Sequence, residues 1–170
     1  MTSPTSSPSP KRDIFLVVYQ DKIAVPAHWA LFVPFSNDSS HGTKIHAIGA
    51  PFFGYGLEIN PSYDLNGTKR RHIKILLGQV DEAKVPELEE VAKVVPTPGV
   101  SKTPLDPFAV GYSCCYMGVV CEEWNANECQ GEHCQHWLRK YVDRLILNKV
   151  VEKDVVRVLG EAPTLYNGAA

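Results

Sequence analysis

The chain has 170 residues, 44% of them hydrophobic, and a formal net charge of −2. That size and apolar content suit one globular domain with a real core. The near-neutral balance, with no basic cluster longer than the run TKRRHIK at 68–74, argues against nucleic acid as a partner.

The opening residues, MTSPTSSPSPKR, are rich in Ser, Thr and Pro and hold no apolar stretch. They predict a disordered tail over 1–12 rather than a secretory signal, followed by a single domain over 13–170. Five cysteines without such a signal point to a reducing, cytoplasmic setting and free thiols. No run approaches the roughly 18 apolar residues of a spanning helix, so no integral membrane segment is expected.

DIFLVVY (13–19) is β-branched and aromatic, a good strand. HWALFVPF (28–35) is a second, with His28, Ala30 and Phe32 on one face and Trp29, Leu31 and Val33 on the other. The polar stretch 36–42 predicts a hairpin loop, and TKIHAIGAPF (43–52) the returning strand, with His46 inside it. Residues 53–68, rich in Gly, Asn and Pro, predict loop with a short strand. RRHIKILLGQV (70–80) is another strand, and the close spacing suggests an antiparallel meander. A helix is expected over 85–95, with Pro86 in its first turn and Leu88, Val91, Val94 and Val95 at helical spacing. A Pro-rich loop (96–107) and an apolar run (108–124) readable as helix or strand come next. Residues 134–147 give the clearest helix, with Trp137, Leu138, Tyr141, Val142, Leu145 and Ile146 on one face. A last short helix at about 152–159 is expected to stop at Gly160 and Pro163. The class is α+β: an antiparallel sheet packed against helices.

Cys134 opens the clearest helix. There the macrodipole and unpaired N–H groups favour thiolate and can stabilise an oxyanion, as a nucleophile needs. An isolated free cysteine is also a common buried hydrophobe. His28 and His46 lie on neighbouring strands of a hairpin, which can bring the imidazoles within one or two strand spacings. Such a pair makes a base with its orienter, or half a metal site, or two satisfied core histidines. His41 and His72 read as surface residues, and His136 as exposed or locally hydrogen-bonded. Cys121, Cys129, His133 and Cys134 fall within fourteen residues, but without a Cys-x-x-Cys or His-x-x-x-His pair, so their spacing speaks against zinc.

His28-Trp29-Ala30, then Ile45-His46-Ala47, then Cys134-Gln135-His136-Trp137 together resemble the lecithin retinol acyltransferase-like family of circularly permuted papain-like thiol enzymes. The resemblance implies a permuted papain-like (cysteine-peptidase-like) fold. It implies Cys134 as nucleophile, His28 as general base and His46 as the residue orienting His28; no cofactor and no metal are expected. The substrate would be a small-molecule acyl compound or a peptide, and the activity acyl hydrolase or acyltransferase. A peptidase or isopeptidase of the same fold and a non-catalytic binding domain are the alternatives. This chain departs from the family pattern in having His133 where Asn usually precedes the cysteine and Gln135 where Glu usually follows it.

Overall fold

The computed structural model describes residues 9–20, 26–50, 53–100 and 132–165. Five strands, β1 (Lys11–Tyr19), β2 (His28–Phe35), β3 (Asp38–Ala50), β4 (Gly54–Asp64) and β5 (His72–Asp81), form one sheet in the order β4-β3-β2-β1-β5. All neighbouring pairs run antiparallel. The expected meander holds for β1 to β4; β5 departs from it by returning to pair with β1, from Lys11↔Asp81 to Tyr19↔His72. That makes β1 an inner strand, and Ile14, Leu16, Val17, Val18 and Tyr19 are fully buried on both its faces. Among the described residues, a 3-10 turn (Glu82–Lys84) leads into helix α1 (Val85–Val94), and α2 (Cys134–Leu147) and α3 (Val155–Glu161) follow. The α+β class is therefore correct.

Several boundaries move. Lys11 and Arg12, expected in the tail, already pair with Asp81 and Val80 of β5. The loop expected over 36–42 shrinks to a turn at 36–37, with Asp38 to Gly42 in β3. The stretch expected as mostly loop is the eleven-residue strand β4. Its Pro61 fits because β4 is an edge strand and because the β3–β4 register shifts between Gly42 and Lys44, opposite that proline. In α1, Ala92 is buried while Val94 is 66% exposed. Gly160 lies inside α3, which runs on to Glu161. The run 108–124 and the cysteines at 114, 115, 121 and 129 lie outside the described residues.

The alternation predicted for β2 sets the layers. Trp29, Leu31 and Val33 join Ile45 and Ala47 of β3 in a core shared with Leu88 and Val91 of α1, Trp137, Leu138, Tyr141 and Leu145 of α2, and Val155 of α3. On the other face Ala30 and Phe32 pack with Val17, Tyr19 and Leu65. Burying a tryptophan such as Trp29 removes roughly 200 Å² from water, worth about 5 kcal/mol at 25 cal/mol per Å². Polar atoms of these large residues are satisfied by backbone carbonyls. Tyr141 Oη donates to Leu88 O at 2.7 Å and Trp29 Nε1 to Pro163 O at 3.0 Å. Among the described residues no helix is long and apolar enough to cross a membrane.

Gly42 lets the β2–β3 hairpin close. A Cβ there would sit 2.1 Å from Val33 O and 2.6 Å from Pro34 Cα, both backbone atoms, whereas a Cβ on Gly56 would meet nothing within 4 Å. Gly42→Ala is expected to lower stability by about 2 kcal/mol or more, and Gly56→Ala to change it by less than about 0.5 kcal/mol. Urea unfolding of the two variants beside the parent checks this; equal midpoints would contradict it.

Candidate functional site

The hairpin carries the two histidines to one place. His28 is the first residue of β2, and its partner in β1 is Tyr19. His46 sits between Ile45 and Ala47, both in the helix-side core, so its side chain points to the opposite face, as does that of His28. His28 Nε2 and His46 Nδ1 are 2.7 Å apart, with the rings edge to face. The β2–β3 ladder runs from Phe35↔Asp38 to Leu31↔Ile45 and stops short of His28. The histidines therefore meet through side chains across a diagonal, just beyond the last paired residues of the ladder.

A carboxylate continues the line. Glu58 is the cross-strand partner of His46 on β4, and its Oε1 lies 3.2 Å from His46 Nε2. Lys44, two residues before His46 and only 7% exposed, places its Nζ 3.9 Å from the same oxygen and 4.0 Å from the Tyr63 ring centroid. The Arg70 guanidinium stacks 4.3 Å from the Tyr19 ring centroid, and Tyr19 lies 5.8 Å from the His28 ring. Burial, then the Lys44 charge, lowers the His46 pKa to about 4; the Glu58 hydrogen bond and charge oppose this and Arg70 adds to it. His46 is thus a neutral imidazole with a carboxylate on one nitrogen and His28 on the other.

Cys134 is a free thiol at the first residue of α2 and belongs to the helix-side core. Burial pushes its pKa up to about 11, against the pull of nearby backbone amides of Trp29, Gln135 and Cys134 itself. The helix start is held to β2 by the next residue. Gln135 is 5% exposed, and its Nε2 donates to Ala27 O at 2.7 Å and to Thr164 O at 2.9 Å. Ala27 N donates to the same Thr164 O at 2.9 Å. Ala27, before His28, therefore contacts the second residue of α2 through the Gln135 amide, and Trp29, after it, shares the helix-side core with Cys134.

The local histidines serve the helix. His133 is its N-cap, accepting at Nδ1 from Gln135 N at 3.3 Å, and His136 Nδ1 accepts from His133 N at 3.3 Å. This reciprocal box satisfies two donors that a helix start leaves open. Burial lowers the His133 pKa to about 4, consistent with its role as a neutral acceptor. His136 is exposed and locally bonded, as expected. His41, expected to be solvated, pairs on the surface with Asp38 at 2.6 Å. His72 keeps a surface place with Nδ1 2.9 Å from Arg70 O. Among the described residues no group of three His, Cys, Asp or Glu side chains could hold a metal ion. Glu58, Lys44 and the docking role of Gln135 escaped the sequence reading. Glu58 lies in a strand read as loop, and Gln135 registered only as a departure from a motif.

The model of a family of unknown function, DUF6540, matches residues 14–152. Neither the comparison with curated proteins nor that with solved structures gave a match.

Two outcomes follow from this geometry. Gln135→Glu removes a two-proton donor and sets an acceptor against two carbonyls. It is expected to cost about 2 kcal/mol or more at pH 8 and less at pH 4, where a protonated carboxyl can donate once. Urea titrations at both pH values read this, and an unchanged midpoint would refute the docking role. The second concerns pH. An unfolded histidine gains a proton below 6.5, whereas folded His46 gains one only near 4. Between those values the unfolded state binds more protons, so the stabilisation present above 6.5 is lost as pH falls towards 4. His46 contributes up to about 3 kcal/mol of this loss, and His133 acts in the same direction. His46→Gln should flatten the stability profile across that window; a profile as steep as the parent's would contradict the assignment.

Proposed function

The chain belongs to the DUF6540 family, and for it we propose a thiol-dependent acyl hydrolase or acyltransferase activity on a permuted papain-like fold. The observation that carries this reading is the bracketing of His28. Its neighbour Ala27 is bonded to Gln135 at the start of α2, its neighbour Trp29 shares the helix-side core with Cys134, the first residue of that helix, and its own ring is bonded to His46. The chain order His28, His46, Cys134 is the order of the lecithin retinol acyltransferase-like enzymes that the sequence resembles.

Because burial raises the Cys134 pKa, the resting thiol is protonated at neutral pH. Attack then requires a base, and His28 takes the thiol proton as sulfur bonds to an ester, thioester or amide carbonyl carbon. Negative charge on the carbonyl oxygen is stabilised by amides at the helix start. Collapse of the tetrahedral adduct breaks the bond to the leaving group, which receives the proton from His28, and leaves an acyl-thioester on Cys134. Water or another acceptor, deprotonated by His28, attacks that thioester and restores the thiol. His46 orients His28 throughout.

The test is intact-mass detection of an acyl adduct after exposure to a panel of activated esters, thioesters and peptide conjugates. An adduct on Cys134 is expected, absent in Cys134→Ala and slowed at least about 100-fold in His28→Ala. Reaction with peptide conjugates alone would favour the peptidase alternative. Labelling indifferent to both substitutions would sink acyl transfer and favour a binding domain that uses Cys134 as core.

A further inference from the structure

We infer that Glu58 sets the direction of the hydrogen bonds through His46 and so makes His28 a proton acceptor; the functional consequence rests on the acyl-transfer reading above. A neutral imidazole carries one N–H and one lone pair. Two neutral imidazoles joined between His28 Nε2 and His46 Nδ1 can be arranged in two ways. In one, His28 donates and keeps its lone pair on Nδ1. In the other, His46 donates, and His28 Nδ1 carries a hydrogen and cannot act as a base. The 2.7 Å separation fits both.

The carboxylate decides between them. An ionised carboxylate only accepts, so His46 Nε2, 3.2 Å from Glu58 Oε1, must carry the hydrogen. A neutral His46 then has its lone pair on Nδ1, where it can only accept. His28 Nε2 must donate to it, and the His28 lone pair falls on Nδ1. The charged and titratable groups around His46 come from every neighbouring element. They are His28 on β2, Lys44 on β3, Glu58 on β4 and Arg70 before β5. Lys44 and Arg70 disfavour a second proton on His46, which keeps the argument in its neutral form. Glu58 touches neither the thiol nor a reacting atom in this scheme, so it is a positioning residue. Its side chain is 41% exposed, so replacing it does not open the core.

The experiment reads tautomers directly, by long-range ¹H–¹⁵N correlation on the uniformly labelled full chain at neutral pH. The parent is expected to show Nε2–H on both His28 and His46. Glu58→Lys offers a donor in place of an acceptor and is expected to move both hydrogens to Nδ1. Glu58→Gln, the milder change should the lysine variant misfold, can accept or donate and is expected to give a mixture. Acylation of Cys134 in the same samples should fall about 100-fold in Glu58→Lys and less in Glu58→Gln. A parent His28 with hydrogen on Nδ1, or tautomers indifferent to both substitutions, overturns the inference and leaves acyl transfer standing. Switched tautomers with undiminished Cys134 acylation overturn the role of His28 as base while the direction set by Glu58 survives.

Discussion

The arrangement depends on one buried primary amide. Gln135 Nε2 offers two hydrogens and gives them to the carbonyls of Ala27 and Thr164, groups 108 and 29 residues away in sequence. At this end of the sheet β2 has run out of partner: its pairing with β1 ends at Tyr19↔His28 and with β3 at Leu31↔Ile45. Carbonyls there need donors from elsewhere, since a buried backbone group left unmade costs more than the bond gains. Gln135 supplies them from the first turn of α2, Ala27 N and Trp29 Nε1 reach back to the same 163–164 segment, and the three chain segments lock together. A carboxylate, which only accepts, could not do this, so the amide at position 135 has a physical reason in this fold.

The sheet divides the site between its faces. Cys134 belongs to the helix-side core with Trp29 and Trp137, while His28 and His46 share the far face with Tyr19. In a fully paired sheet the backbone would separate the two. Here the β2–β3 ladder ends at Leu31↔Ile45, short of His28 and His46. Beyond that last pair the two imidazoles meet diagonally through their side chains.

Periodicity made much of this legible. The 2-residue alternation of HWALFV gave the facing of β2, and the i, i+4 stripe from Trp137 to Leu145 gave α2 to the residue. Two histidines on a hairpin were enough to foresee their meeting. What stayed hidden was whatever depends on an edge. β4 pairs on one side only, so Gly54, Gly56, Asn60 and Pro61 cost it little, yet those residues erase the strand signal. With β4 unread, Glu58 had no strand to place it opposite His46. The return of β5 to β1 was equally invisible, because a hydrophobic run states that a strand is buried, not which neighbour it chooses.

The electrostatics bind these features into one resting state. Lys44 is nearly buried, and its ammonium is compensated by the Tyr63 ring and by Glu58. Glu58 favours a protonated His46, but burial first and Lys44 second outweigh the carboxylate, and the imidazole stays neutral. Burial likewise keeps the Cys134 thiol protonated. In an acyl-transfer cycle, then, charge at the thiol and at His28 appears only as sulfur attacks, instead of being stored beforehand as a thiolate–imidazolium pair. A site of that kind relies on where its hydrogens point more than on a preformed charge. A carboxylate two side chains away from the base therefore matters more than its distance suggests.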